Sequence, residues 1–315
     1  MKIIICGATG FIGSNLLKHF DNGKNEIFAV YNNRPPIKKS SKNINWFKAD
    51  LRLPDSILPI IKNTDLFLQF AATTSGSKDI TSKPYIHVTD NAVINSYLLR
   101  ACFENKVGHF IFPSCTIMYQ KSDKALKTTD FNPSDTIQPH YFGTGHTKVY
   151  LENMCDFYSR EGKTKFTAFR HSNVYGPYDK YDLDKSHVFA ASVLKVMNST
   201  DGKVNVWGTG EEKRDLLYVG DLVDFIAQAI EKQTTPYELF NVGLGKGTKI
   251  KDLVTKMISH SGKNLEIVHD LSKPTIPTSL FLDCTKAKKL IGWEPQHTLD
   301  EGIIKTLEWY KTNIK

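Results

Sequence analysis

The chain has 315 residues, of which 40 % are apolar, 11 % aromatic and 23 % charged, a composition that excludes a largely disordered protein. Its 41 basic and 33 acidic side chains give a formal net charge of +8, which is spread thinly along the sequence. Without a dense basic stripe, this charge favours small anionic ligands, and we expect no binding to nucleic acid.

Apolar runs of β-forming residues alternate with segments whose apolar residues recur every three or four positions. This alternation predicts βαβ crossovers, and therefore an α/β fold with a doubly wound parallel sheet covered by helices on both faces. The predicted strands are Ile3–Cys6, Glu26–Val30, Asn45–Lys48, Leu66–Phe70, His109–Phe112 and Thr167–Phe169. The predicted helices are Ile12–Phe20, Pro54–Ile61, Asp90–Glu104 and Lys148–Tyr158.

A glycine-rich turn joins the first predicted strand to the first predicted helix. Gly7, Gly10 and Gly13 have the spacing G-x-x-G-x-x-G, with Phe11 and Ile12 inside the turn. Glycines let the backbone approach a pyrophosphate, and the helix N-terminus adds N–H donors and a partial positive charge. In this context the turn predicts a dinucleotide site; the alternative is a turn that serves only helix–strand packing.

The residues that follow the second, third and fourth predicted strands are expected to contact the adenosine part of the cofactor and the second ribose. An NAD site normally places an acid after the second strand, against the adenosine ribose, but this chain has Asn32 and Arg34 there. Arg34 could hold a 2′-phosphate, which slightly favours NADP over NAD, or it could be a solvated loop residue. The residues expected to bracket the adenine and the second ribose are Asp50, Leu51, Ala71 and Ala72.

The sequence pattern changes near Gly176, after which the predicted elements become shorter and are interrupted by glycine and proline. We expect residues 1–175 to form a Rossmann-type NAD(P)-binding domain, to which later segments return. Residues 176–315 are expected to form mainly a smaller, interleaved substrate-binding lobe.

The five cysteines are widely separated and form no C-x-x-C pair, which predicts a reducing compartment and a cytoplasmic location. No segment approaches the ~18 apolar residues of a membrane helix, so we expect no membrane contact. We also expect no metal site.

Further motifs carry a resemblance to a known family: Asn91 in the long helix, and residues 170–177, 206–210, 214–221 and 290–295. With the glycine turn, they resemble the extended short-chain dehydrogenase/reductase family of NAD(P)-dependent nucleotide-sugar epimerases, dehydratases and reductases. Tyr175-Gly176-Pro177 followed by Ser186-His187-Val188 is most similar to the GDP-fucose synthase branch. The resemblance implies hydride transfer between the sugar C4 and nicotinamide, a GDP-linked sugar, and Asn91 near the cofactor.

The family's catalytic triad is altered in this chain. In the family a tyrosine transfers the hydroxyl proton, a lysine one helical turn later lowers its pKa, and a serine or threonine binds the same oxygen. The resemblance places Lys148 at the lysine, Thr144 at the tyrosine and Cys115 at the serine. A threonine hydroxyl is far too weak an acid to replace a phenol. His187 matches a proton-transfer residue of the branch, whereas Ile117 replaces its epimerising cysteine.

Four residues are candidates for the missing proton carrier: Tyr141, His146, Cys115 and Ser114. The first three also have a structural interpretation, as a packed tyrosine, a solvated histidine and an inert buried thiol. The resemblance places Asn173 and Arg214 near the substrate diphosphate; the alternative is a loop hydrogen bond or a surface ion pair. His171 is interpreted as a core histidine.

Two functions therefore compete: a nucleotide-sugar oxidoreductase or epimerase acting at C4, and a catalytically weakened relative that binds cofactor and sugar nucleotide as a regulatory or partner subunit. We also expect a homodimer. In the resembling enzymes two long helices of each subunit form a four-helix bundle, and here they would be Asp90–Glu104 and Lys148–Tyr158. Their apolar residues Val93, Tyr97, Leu151 and Phe157 exceed what the sheet alone needs.

Overall fold

The computed structural model describes residues 1–36, 41–74, 82–183, 185–273 and 279–314. The strands are β1 (Lys2–Cys6), β2 (Glu26–Tyr31), β3 (Ile44–Lys48), β4 (Leu66–Gln69), β5 (His109–Ser114), β6 (Lys165–His171), β7 (Asn173–Tyr175), β8 (Lys203–Trp207), β9 (Lys213–Tyr218), β10 (Tyr237–Val242), β11 (Gly247–Lys249) and β12 (Glu266–Asp270).

The helices are α1 (Phe11–Phe20), α2 (Leu58–Ile61), α3 (Thr89–Glu104), α4 (Phe142–Glu161), α5 (Val188–Asn198), α6 (Val219–Lys232), α7 (Ile250–Ser261), α8 (Thr285–Ile291) and α9 (Leu299–Asn313). Short 3₁₀ turns lie at Pro84–His87, Thr128–Asp130 and Pro139–Tyr141.

Seven strands form a parallel sheet in the order β10-β6-β5-β4-β1-β2-β3. The order of the strands reverses at β1, which pairs with β2 on one side and with β4 on the other. Ligands of doubly wound sheets bind outside the carboxyl ends of the strands at this reversal. The predicted Rossmann-type α/β fold is confirmed.

The sheet is buried on both faces because its strands are apolar at successive positions. Ile3 and Ile5 of β1 point into a core shared with α1, α6 and α8. Ile4 and Cys6 point to the opposite face, into a core shared with α2, α3 and α4. This alternation follows from the two-residue period of a strand.

A third core cluster lies outside the main sheet and includes Tyr175, Phe189 and Leu216. It is surrounded by β7, β8, β9, β11 and β12 and by α5, α7 and α9, which we call the second lobe. The chain crosses back from this lobe, because α6 packs on the main sheet and β10 forms its edge strand.

Two predicted helices have the wrong limits. The segment predicted as helix over Pro54–Ile61 is helical only over Leu58–Ile61, because Asp55 has a left-handed φ of +60° and Pro59 lies in the first turn. The helix predicted over Lys148–Tyr158 begins at Phe142 and ends at Glu161. Its first turn contains two glycines, whose low helix propensity hid this part of it from the sequence pattern.

Candidate functional site

The glycine turn between β1 and α1 is too tightly packed to carry side chains. Gly7 has a φ of +72°, and a Cβ atom there would lie 2.5 Å from the carbonyl oxygen of Phe70. A Cβ atom on Gly13 would lie 2.1 Å from the Gly7 carbonyl oxygen, and Gly10 donates its N–H to that same oxygen at 2.8 Å. The turn is therefore a bare backbone cradle.

The cradle fits the pyrophosphate of a dinucleotide. Helix α1 starts directly after Gly10, which makes no side-chain cap, and its first residues Phe11 and Ile12 are half-buried. A helix N-terminus in this state favours an anion through its N–H donors and its dipole. The fit is thus carried by the backbone of the turn together with the start of α1.

A basic side chain lies over the cradle on the β2 side. Arg34 donates from NH1 to the carbonyl oxygen of Thr9 at 3.0 Å, and Asn32 is exposed beside it. After β3, the Arg52 guanidinium donates to both oxygens of Asp50, at 2.9 and 2.7 Å. Hydrogen bonding to Arg52 holds the pKa of Asp50 below its usual range, so this carboxylate stays charged.

A buried network of amides holds residues 71–73, which follow β4. Asn91 accepts the N–H of Thr73 at 3.0 Å and donates to the carbonyl oxygens of Thr73 and His87 at 3.0 and 2.8 Å. Gln69 donates to Asn95 and to the Ala71 carbonyl oxygen, both at 3.0 Å. Asn91 thus fixes the loop backbone and has no amide hydrogen left for a cofactor.

This network shows which residues the sequence analysis missed. Gln69 and Asn95 are polar residues in an apolar strand and on the buried side of a helix. Buried polar side chains need partners, so their positions were a usable signal. The expected cofactor residues Leu51, Ala71 and Ala72 also lie at this sheet edge, with Leu51 buried and Ala72 exposed.

Lys148 lies on α4, one helical turn after the half-buried Thr144. Its ammonium donates to the carbonyl oxygen of Pro113 at 2.8 Å and lies 4.7 Å from the centre of the Phe112 ring. Burial lowers the pKa of Lys148. The helix therefore delivers a partly desolvated cation to the carboxyl end of β5.

A buried ion pair fixes α4 beneath this site. Arg170 and Glu152 are 2.6 Å apart, and each side chain is only 3 % exposed. The Ser114 hydroxyl donates to Glu152, and Tyr119 accepts a hydrogen bond from Arg170 at 3.0 Å. Ser114, one of the candidate proton carriers, is thus engaged in the network under the site.

The other three candidates differ in their placement. His146 is exposed and packs edge-on against Phe142, with 4.5 Å between the ring centres. Burial raises the pKa of the Cys115 thiol, which the neighbouring Lys148 ammonium opposes only partly. Tyr141 ends a 3₁₀ turn directly before α4 and is half-buried.

Tyr141 lies within the electrostatic reach of Arg214 on β9 of the second lobe. Burial raises the pKa of Tyr141, and the Arg214 guanidinium opposes this shift. Arg214 itself is partly desolvated, which lowers its pKa, and it donates to the Lys213 carbonyl oxygen at 2.9 Å. Asn173, also expected near the substrate, donates to the Asp215 carbonyl oxygen at 3.2 Å and thus joins β7 to β9.

Two histidines lie in the same region, one at the end of β6 and one directly before α5. His171 ends β6 directly beyond Arg170, which pairs in register with Ser114, and its Nδ1 lies 2.7 Å from the Ser172 carbonyl oxygen. Burial, with added repulsion from Lys148 and His187, lowers the pKa of His171 to about 4. His187 precedes α5, and burial lowers its pKa too. His171 is thus a hydrogen-bonded histidine withdrawn from water, as expected, and it also interacts electrostatically with Lys148.

Within the described ranges, no group of three or more metal-binding side chains is found. No helix among the same residues is long and apolar enough to cross a membrane.

Known proteins resemble this chain over nearly its whole length. The chain is 26 % identical to GDP-L-colitose synthase of Yersinia pseudotuberculosis over 98 % of both chains. It is 24 % identical to GDP-L-fucose synthase of Escherichia coli (strain K12), covering 99 % of this chain and 97 % of that one. The crystal structure of a UDP-glucose 4-epimerase with UDP-glucose from Thermotoga maritima superposes with a TM-score of 0.87, at 26 % identity and full coverage of both chains. Residues 3–243 match the model of the NAD dependent epimerase/dehydratase family, and the chain therefore belongs to that family.

Proposed function

We propose that the protein is an NAD(P)-dependent nucleotide-sugar oxidoreductase or epimerase that acts at C4 of the sugar. The observation that carries this proposal is the meeting of a bare glycine cradle and the partly desolvated Lys148 at one edge of the sheet. A bound nicotinamide cofactor would supply the hydride acceptor or donor. On this proposal residues 1–175 mainly bind the cofactor and residues 176–315 mainly bind the substrate.

Lys148 has two roles in this proposal. Its ammonium binds the hydroxyls of the nicotinamide ribose, and its charge lowers the pKa of the group that exchanges a proton with the sugar hydroxyl. Because Lys148 is partly withdrawn from water, its charge is poorly screened and acts strongly on neighbours.

Tyr141 is our choice for the proton carrier. Thr144 is too weak an acid, Ser114 is engaged with Glu152, and His146 is exposed. Of the two candidates that remain, Cys115 and Tyr141, the half-buried Tyr141 carries the phenol that the family uses for this step. His171 is the second candidate, favoured by its neutral ring beside Lys148.

The substrate is proposed to be a GDP-linked sugar, as the names of the two curated relatives indicate for those enzymes. Arg214 would hold the diphosphate, with His187 and Asn173 close by. The structure with UDP-glucose keeps a UDP-linked sugar as the competing choice. Since Ile117 replaces the epimerising cysteine of the fucose synthases, we expect chemistry at C4 without epimerisation at neighbouring carbons.

For the cofactor, the family is NAD-dependent, and we propose NADP as the preferred form. Arg34 lies over the glycine cradle, and the residues that follow β2 before it carry no carboxylate to repel a 2′-phosphate. We also propose a cytoplasmic location, because all five cysteines are free thiols.

A homodimer is proposed from the outer faces of α3 and α4. Tyr97, Tyr150 and Phe157 are 40–47 % exposed on these two neighbouring helices. Leu151, which was expected to belong to the same face, is instead fully buried in the core with Cys155. The remaining aromatic face is the surface a second copy would cover.

The second candidate function is a partner subunit without turnover, which the altered Cys115 and Thr144 favour. The test mixes purified protein with NAD⁺ or NADP⁺ and a panel of GDP- and UDP-linked sugars, and follows nicotinamide absorbance. Reduction by at least one sugar nucleotide supports the enzyme. Binding of both ligands with no absorbance change and no conversion of any sugar nucleotide, checked by chromatography of the mixtures, would establish the partner subunit instead.

A further inference from the structure

A short segment between β7 and α5 links helix α1 to the residues that follow β4. We call residues 176–181 the interlobe strap. Asn15 of α1 donates to the carbonyl oxygen of Pro177 at 2.9 Å, which ties the strap to the helix that opens the cradle. Within the strap, the Tyr181 hydroxyl donates to the Gly176 carbonyl oxygen at 3.1 Å. The strap is therefore held at the mouth of the glycine turn.

From this strap Lys180 reaches over to the loop after β4. Its ammonium donates to the hydroxyl of Thr74 at 3.1 Å and to the carbonyl oxygen of Thr74 at 3.3 Å. Gly7 packs against Phe70, four residues before Thr74, so the lysine spans the side of the cradle opposite Arg34. The Lys180 ammonium thus lies between the segment that follows β1 and the segment that follows β4.

The surroundings of Lys180 are unfavourable for a second positive charge. Burial and the Arg34 guanidinium both lower its pKa. Its chain neighbour Asp179 offsets this only in part, because burial raises the pKa of that carboxyl to about 7 and leaves it half-protonated near neutral pH. Two converging cations at an anion-binding backbone cradle are stabilised when an anion lies between them.

We propose that Lys180 binds the pyrophosphate of the nicotinamide cofactor, exchanging its contacts with Thr74 for phosphate oxygens. This inference rests on the cofactor binding contained in the proposed function. A lysine suits the role, because its ammonium is a point charge on a flexible stem that moves between two acceptors. Binding the cofactor then also fixes the second lobe to the main sheet.

The pyrophosphate and the 2′-phosphate can be told apart by ligand choice. NADH, NADPH and ADP-ribose all contain the pyrophosphate, whereas adenosine 2′-monophosphate contains only the 2′-phosphate. We expect Lys180→Gln to weaken NADH, NADPH and ADP-ribose by about ten- to hundredfold, the loss typical of a charge-assisted hydrogen bond. Its affinity for adenosine 2′-monophosphate should stay within about threefold of the wild type.

The measurement is the dissociation constant of each ligand, from nicotinamide fluorescence or calorimetry, for four proteins. Lys180→Arg keeps the charge and should lose less than Lys180→Gln. Lys185→Gln is the matched control, since this lysine is exposed, lies near the same strap and pairs loosely with Asp182 at 3.9 Å. It should bind every ligand as the wild type does.

Three outcomes overturn the inference. Unchanged constants for Lys180→Gln would mean that the lysine only ties the lobes together. A loss confined to NADPH and adenosine 2′-monophosphate would place Lys180 at the 2′-phosphate. A wild type that binds no dinucleotide would defeat the proposed function itself, a result separable from the first two because there the wild type does bind.

Discussion

Arg170 and Glu152 form an ion pair with 2.6 Å between NH2 and Oε2, and both side chains are 3 % exposed. Glu152 lies one helical turn after Lys148 on α4, and Arg170 directly precedes His171 on β6. The pair therefore links the helix carrying the lysine to the strand carrying the histidine. Ser114 on β5 completes the link through its hydrogen bond to Glu152.

Removing one member of this pair should be costly. Arg170→Met leaves the Glu152 carboxylate buried without its counter-ion, and we expect the free energy of unfolding to fall by about 3–5 kcal/mol. Urea denaturation at neutral pH measures this loss. The control is Arg100→Met, which breaks an exposed pair with Glu104 and should cost at most ~0.5 kcal/mol. Similar losses of unfolding free energy for both variants would show that the buried pair contributes no more to stability than the exposed pair.

Two glycines with left-handed backbone conformations allow the cost of backbone strain to be distinguished from the cost of steric crowding. Gly7 and Gly262 have φ angles of +72° and +77°, yet a Cβ atom on Gly7 meets the Phe70 carbonyl oxygen at 2.5 Å, whereas one on Gly262 meets nothing within 4 Å. Gly262→Ala should cost roughly 1 kcal/mol from backbone strain alone. Gly7→Ala should cost clearly more and should also abolish cofactor binding, because the cradle must open.

Thermal unfolding compares the stability of these two variants, and fluorescence titration with NADPH compares their cofactor binding. Gly262→Ala should bind NADPH as the wild type does. If Gly7→Ala also kept its affinity, the assignment of the pyrophosphate to this turn would be wrong.

The parts of the fold that the sequence predicts correctly are those that depend on local sequence patterns. The glycine turn and the apolar strand Ile3–Cys6 lie where the sequence places them, because glycine spacing and continuous apolar runs depend only on near neighbours. Helix α4 was underestimated, since Gly143 and Gly145 mask a first turn that tertiary contacts stabilise. One such contact is the packing of Gly145 against Ile137.

The site was less predictable because its contacts join distant parts of the chain. The bond from Lys180 to Thr74 spans 106 residues, and that from Gln69 to Asn95 spans 26. No periodicity encodes such pairs. Thr144 and Lys148 lie one turn apart on one helix, as expected. The catalytic roles of both residues remain predictions.

Burial of His171 should make the protein acid-sensitive. The folded pKa is about 4, below the ordinary value of 6.5, so between these values the unfolded chain binds a proton that the folded chain does not. Stability from this group is full above about pH 6.5 and is lost as the pH falls towards 4. His171→Gln should reduce the fall in unfolding free energy over this window by roughly 1–3 kcal/mol.

Urea denaturation at several pH values between about 4.5 and 7 gives this dependence. His19→Gln replaces an exposed histidine of α1 and should leave the slope unchanged. An unchanged slope in His171→Gln as well would mean that the His171 ring titrates normally in the folded protein.

The identity of the proton carrier can be read from a single turnover. If Tyr141 supplies the phenol, Tyr141→Phe should slow nicotinamide reduction by roughly 10²–10⁴-fold, because a general acid or base is lost. Substrate affinity should hardly change, since only the hydroxyl is removed. Tyr85→Phe removes the same group from a tyrosine that is 68 % exposed and should react at the wild-type rate.

Each alternative gives a different result in the same experiment. Equal rates for wild type and Tyr141→Phe would exclude the phenol, and a slow His171→Gln would then transfer the role to the histidine. Lys148→Met should weaken cofactor binding whichever residue carries the proton, because its ammonium is assigned to the nicotinamide ribose.

The exposed aromatic face on α3 and α4 should hold two copies together. Tyr97 and Phe157 are 40 % and 47 % exposed, and the Ser96 hydroxyl lies 3.4 Å from that of Tyr150 across the two helices. Phe157→Glu would place a charge in the centre of this apolar surface, where a dimer would have to bury it unpaired. Light scattering at micromolar concentration should give a dimer for the wild type and a monomer for Phe157→Glu. Leu271→Glu, at a side chain 71 % exposed in a turn after β12, should remain dimeric. A monomeric wild type, or a dimer that survives Phe157→Glu, would show that this face is not the interface.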